Sequence, residues 1–105
     1  MWFVETSVFS GQLYEQLPDD DYRSLQLALA LRPEQGTLIP GSGGLRKIRW
    51  ALRGKGKRGG LRLIYYWDAG EDAIYFLYLY PKNQQVNLRP NQLKQLKLAI
   101  EEDLK

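Results

Sequence analysis

The sequence predicts an α+β fold in the order β-α-α-β-β-β-α, an antiparallel sheet packed against two N-terminal helices with a C-terminal helix added. Three observations carry that expectation. The middle and later chain hold three β-type runs, Leu45–Arg53, Leu61–Trp67 and Ala73–Tyr80, rich in aromatic and branched residues. The N-terminal third and the tail carry apolar residues at helical spacing. Strands clustered between helices, rather than alternating with them, point to an α+β layer arrangement.

Taken in order, Trp2–Glu5 reads as a short first strand. Phe9, Leu13 and Leu17 follow four apart, which places them on one helix face. Pro18 opens a second helix, because proline is tolerated in a first turn. Asp19, Asp20 and Asp21 suit the positive end of that helix dipole. Tyr22, Leu25 and Leu29 continue its apolar face, with Ala28 beside them, and Pro33 ends it. Both helices are expected to serve as a packing layer for the sheet.

Glu34 to Gly44 is a loop rich in glycine and proline. In the strand after it, Arg46, Ile48, Trp50 and Leu52 alternate with Lys47, Arg49, Ala51 and Arg53, the pattern of a half-exposed strand with one basic face. GKGKRGG connects it to two runs that are apolar on both faces and therefore central, joined by the turn DAGED. From Arg89 the tail is helical, with Pro90 in its first turn and Leu93, Leu96, Ile100 and Leu104 on one stripe.

At 105 residues the chain, 1–105, is read as one domain. It contains no cysteine and no histidine. Disulfides, thiolate nucleophiles and Cys/His metal sites are thereby excluded, and the usual general base near neutral pH is missing. Proton transfer must fall to Lys, Tyr, Asp or Glu. The start lacks a signal-peptide pattern and no apolar run reaches membrane-spanning length, so a cytoplasmic protein without a membrane partner is expected.

Charge is distributed unevenly. Residues 41–67 hold eight Lys or Arg (Arg46, Lys47, Arg49, Arg53, Lys55, Lys57, Arg58 and Arg62) and no acid. Residues 1–40 carry a net −4 and residues 68–105 a net −1, within an overall +3. An electropositive block of this kind calls for an anionic partner, phosphate first. Gly54, Gly56 and Gly59 match the G-x-G-x-x-G dinucleotide fingerprint, but a strand-type run follows where that motif needs a helix, so the nucleotide-fold reading fails. The bland alternative, a solvated basic hairpin loop, weighs about as much on composition alone.

The hairpin adds geometry. With Ala69 and Gly70 at the centre of its turn, Arg62 is expected opposite Tyr78 and Tyr80 opposite Gly60. Lys55, Lys57, Arg58, Arg62, Tyr80 and Lys82 should then converge at one end of the sheet. If the ligand is RNA, such a set can support attack of a 2′-hydroxyl on the adjacent phosphate. Lysines crowded by like charge can exchange protons, arginine can hold the phosphorane, and tyrosine can transfer a proton or stack on a base. A core aromatic for Tyr80 and a salt-bridged structural role for Arg62 are the competing readings.

These residues, GGLRKIRWALRGKGKRGGLRLIYYW followed by IYFLYLYPKN and a terminal helix, resemble the RelE/HigB-like toxins of bacterial type II toxin–antitoxin systems, the HigB-type branch above all. The resemblance spans nearly the whole chain, the LPDDDYRSLQLAL helix included. It implies a ribosome-dependent mRNA endoribonuclease that cuts in the ribosomal A site without metal or other cofactor and leaves a 2′,3′-cyclic phosphate. It also implies a helix-turn-helix antitoxin, with operator DNA bound only through the antitoxin complex. Carried over by position, Lys55 and Lys57 take the loop lysine places, Arg62 the strand arginine and Lys82 the basic place after the last strand. Tyr80 joins this catalytic set. Lys47, Arg49, Arg53 and Arg58 would dock RNA. Arg89 to Lys105 lacks the tyrosine that some relatives use there, and the general base has no single candidate. The competing class is a non-catalytic basic protein, a degenerate toxin or regulatory subunit that binds RNA or DNA.

Overall fold

In a computed structural model the chain is described at residues 1–52, 60–83 and 87–103. Its elements are β1 (Trp2–Glu5), α1 (Ser7–Gln16), α2 (Asp19–Leu31), β2 (Thr37–Leu38), β3 (Leu45–Trp50), β4 (Leu61–Asp68), β5 (Ala73–Pro81) and α3 (Pro90–Asp103). The five strands form one sheet in the order β1-β5-β4-β3-β2.

Two features of the sheet add to the expected order. β1 pairs with β5 in parallel, so the sheet is mixed and not antiparallel throughout as expected, its other pairings being antiparallel. The short β2 lies within the predicted loop and pairs with Arg46 and Lys47 of β3. A two-residue strand has too few positions to show a period of two, which is why it reads as loop.

Alternation along β4 and β5 builds two cores. One face carries Leu61, Leu63, Tyr65, Ile74, Phe76 and Leu79 under Phe9, Leu17, Leu25 and Leu29 from the α1–α2 layer. The other carries Leu45, Ile64, Ala73, Tyr75, Leu77 and Tyr80 under Leu93 and Ile100 of α3. The sheet is therefore the middle of three layers. Phe76 is the hub of the first core, its ring lying 5.0 Å from Phe9, 5.7 Å from Phe3 and 5.7 Å from Tyr22.

Helix ends are fixed by local chemistry. The Thr6 hydroxyl accepts from the Phe9 amide at 3.3 Å, capping α1, and donates to the Phe76 carbonyl at 3.0 Å, which ties the cap to β5. Pro18 gives α2 no side-chain cap, and the three aspartates of the first turn supply the favourable charge instead. The start of α3 is set by Gln92, whose side chain accepts from the Arg89 amide at 2.7 Å, one half of a capping box.

β1 pairs with β5 no further than Phe76. Beyond it α1 takes over: the Gln12 side chain accepts from the Leu79 amide at 2.8 Å, and the Gln16 amide donates to the Leu79 carbonyl at 3.4 Å. A buried backbone needs such partners, and α1 supplies them where the strand approaches the basic end of the sheet.

The β4–β5 register corrects the expected one. Arg62 pairs with Tyr80, not Tyr78, and Leu61 with Pro81. Two local features cause the shift. The connection holds four residues between paired Asp68 and Ala73, with Asp72 at φ 51° and the Glu71 amide bound to the Asp68 carboxylate at 3.2 Å. A bulge then makes Leu77 an extra residue, because Ile64 pairs with Tyr78 while Tyr65 pairs with Phe76.

Candidate nucleic-acid interface

β3, β4 and β5 set three residues in one row: Arg49 opposite Arg62, and Arg62 opposite Tyr80. Directly paired residues share a face, so the row lies on the side of the sheet that α3 partly covers. The next row holds Lys47, Ile64 and Tyr78.

Arg62 is 8% exposed, yet among the described residues no carboxylate pairs with it. Among the described residues its guanidinium makes one long contact, to the adjacent Leu61 carbonyl at 3.5 Å. A buried guanidinium has five donors to satisfy, and the competing reading of a structural salt bridge has no support among the described residues. A cavity of about 310 Å³ lies against it, lined by Arg49, Trp50, Ala51, Gly60, Arg62 and Lys82. Among the described residues that lining contains three cations and no acid. The Lys82 amide donates to the Gly60 carbonyl at 3.4 Å, which brings the residue after β5 to the start of β4.

Tyr80 is 2% exposed and packs against Tyr78 with ring centroids 5.8 Å apart. Burial pushes its phenol above the ordinary tyrosine value, the Arg62 charge pulls it part of the way back, and Tyr78 adds to the rise. A phenol held in that direction keeps its proton at neutral pH and can donate a hydrogen bond. It is poorly suited to act as a base.

The other cations divide between structural and exposed roles. Arg46 donates to the Glu34 carbonyl at 2.8 Å and the Gly36 carbonyl at 2.9 Å, so it pins the loop after α2. The Lys47 ammonium donates to the Asn87 side chain at 2.8 Å, joining β3 to the segment before α3. Asn87 was not expected in this region, since a lone asparagine in a loop carries no signal of the strand it meets. Arg49 and Lys82 are exposed. Lys55, Lys57, Arg53 and Arg58 lie outside the described residues. Among the described residues no three His, Cys, Asp or Glu side chains group as metal ligands, and no helix is long and apolar enough to cross a membrane.

Comparison with known proteins gives matches of two kinds, to a family model and to solved structures. The model of a family described as the RelE toxin of the RelE/RelB toxin–antitoxin system matches residues 23–104. A solved structure of E. coli toxin RelE, a double arginine-to-alanine mutant in the free state, is similar over 96% of this chain and 95% of that chain, with a TM-score of 0.59 and 13% sequence identity. At that identity the likeness is one of fold.

Proposed function

The chain belongs to the RelE toxin family, and on that premise we propose that it is a ribosome-dependent mRNA endoribonuclease that works without a metal ion. As a toxin of a toxin–antitoxin system it has an antitoxin partner, which in our reading is a helix-turn-helix protein that neutralises it in the cytoplasm. We read the chain within the HigB-type branch.

The observation that carries the activity is the acid-free cavity walled by Arg49, Arg62 and Lys82. An RNA phosphate is the anion this cavity suits. In the reaction the 2′-hydroxyl attacks the adjacent phosphorus. The bond to the 5′-oxygen breaks, leaving a 2′,3′-cyclic phosphate and a free 5′-hydroxyl. The proton lost by the 2′-hydroxyl passes to a base, and the leaving oxygen gains one from an acid. Lys55 and Lys57 serve these transfers. Arg62 clamps the phosphorane, because its charge is permanent and its planar fork can meet two oxygens. Lys82 assists, and Tyr80 acts as a donor beside them. Lys47, Arg49, Arg53 and Arg58 hold the RNA backbone, and the ribosome orients the message.

The deciding experiment is induced expression of the parent and of Arg62→Ala, followed by primer extension on cellular mRNA. The expected result is growth arrest with codon-positioned cuts for the parent alone. Arrest without cuts, or equal cutting by the variant, defeats the mechanism. It would favour a basic protein that binds without cleaving.

A further inference from the structure

We propose that a second cavity, beside the Arg49–Arg62–Tyr80 row, takes the nucleobase attached next to the phosphate held by that row. The inference rests on the reading that the row holds an RNA phosphate.

The cavity measures about 290 Å³ and lies between β2, the inner strands and the segment that leads into α3. Leu38, Ile39, Ile64, Leu88 and Leu93 supply apolar walls, and Tyr80 completes them. Lys47 and Asn87, already joined at 2.8 Å, stand at its polar edge. A slot with apolar sides and a few fixed polar groups is the usual form of a small-ligand site. A planar base suits it, because every base presents a π-face to such walls and a hydrogen-bonding rim to the polar edge.

Position ties this cavity to the phosphate row. Ile64 follows Arg62 by two residues on β4, and Lys47 precedes Arg49 by two on β3, so both cavities open on one face of the sheet. Two residues of strand span about 6.7 Å, a separation that a nucleotide bridges between its phosphate and its own base. Tyr80 stands between the two, lining the apolar cavity while pairing directly with Arg62. At 2% exposure it is a fixed wall. An inorganic anion or sugar phosphate would fill the row and leave the apolar cavity untouched.

The test is an NMR titration of the protein with each of the four nucleoside 5′-monophosphates and with ribose 5-phosphate, reading the arginine side chains and the leucine and isoleucine methyl groups. At least one nucleotide is expected to bind about tenfold more tightly than ribose 5-phosphate, and to shift Ile64, Leu88 and Leu93 as well as Arg62. Leu88→Trp, which fills the cavity, should bring that ratio close to one. Leu38→Trp, at the exposed rim, is the second variant should the first lose its fold. Equal affinity for all five ligands, with no methyl shifts, overturns the base site and leaves the phosphate row standing. Absence of any binding at Arg62 overturns both.

Discussion

Arg49 and Arg62 stand directly opposite each other on adjacent antiparallel strands, and among the described residues no acid is paired with either. Like charges in that position repel and cost the fold stability. A pair of this kind gains from an anion that bridges it. Replacing Arg49 with alanine should therefore raise the midpoint of denaturant unfolding, by the equivalent of roughly 0.2–1 kcal/mol, while RNA affinity falls. The slope of log affinity against log salt should shrink by about one. A binding series over salt concentration, run beside urea unfolding, reads both effects. Loss of stability in Arg49→Ala would show that the pair is not strained.

Arg62 should behave differently. As the phosphorane clamp its removal to alanine is expected to lower the cleavage rate by about 10²–10³-fold. Lysine at the position should rescue only part, because a point charge cannot replace a bidentate fork. Single-turnover cleavage on programmed ribosomes separates this from a binding defect.

Tyr80 keeps its proton at neutral pH, held there first by burial. Whether it exchanges a proton in the reaction can be checked directly. The pH–rate profile of Tyr80→Phe should keep the shape of the parent profile between neutrality and about pH 10. Disappearance of an alkaline limb in the variant would restore Tyr80 to the proton-transfer step.

Three tyrosines make the fold sensitive to alkali. Burial raises Tyr22, Tyr65 and Tyr80 above the ordinary 10.0, and the neighbouring Glu5 raises Tyr22 further. A raised folded-state value means that the unfolded chain gives up its protons first. Stability is therefore fully present below about pH 10 and falls as pH climbs toward the folded-state values, by up to ~1.4 kcal/mol per pH unit for each tyrosine. Thermal melts across this window should show the decline, with a shallower slope in Tyr22→Phe, which removes the hydroxyl that donates to Glu5 at 2.7 Å.

Gly36 is a test of packing away from the cationic row. A Cβ there would sit 2.7 Å from the Tyr65 hydroxyl and ring edge. That hydroxyl accepts from the Gly36 amide at 2.9 Å and donates to the Pro33 carbonyl at 2.7 Å, closing the loop after α2. Gly36→Ala is expected to break this bracket and cost roughly 1–3 kcal/mol, measured as a lowered Tm. Cleavage per folded molecule should be kept.

Much of this architecture was legible because its signals were local. Trp2–Glu5 matches the observed first strand, and β4, β5 and α2 begin and end within two residues of the expected bounds. Apolar periodicity and the prolines at 18 and 33 account for that. What was not legible depends on partners distant in sequence. The parallel pairing of β1 with β5 leaves no mark on either strand. The Leu77 bulge falls in a run that is apolar on both faces, so no break in alternation announces it. The bulge and the four-residue turn together moved Tyr80 opposite Arg62. Of the candidate site, the gathering of Arg62, Tyr80 and Lys82 followed from hairpin logic even with the register displaced. In the sequence Arg49 reads as one docking cation among several, because facing arginines are visible only once β3 and β4 are in register. The Lys47–Asn87 bond spans 40 positions and had no signal at all.

The two glutamines of α1 carry a consequence for the behaviour of the protein in solution. A strand with free amides and carbonyls along one side is a template on which another chain can polymerise. Where β1 stops, β5 would present such a template within an aromatic, strongly β-prone segment. Gln12 and Gln16 occupy it at Leu79, so the helix acts as a guard against sheet-to-sheet aggregation as well as a layer of the core. Apolar replacements at both positions should lower stability, because the Leu79 amide and carbonyl lose their partners, and should raise the fraction lost to precipitation on concentration.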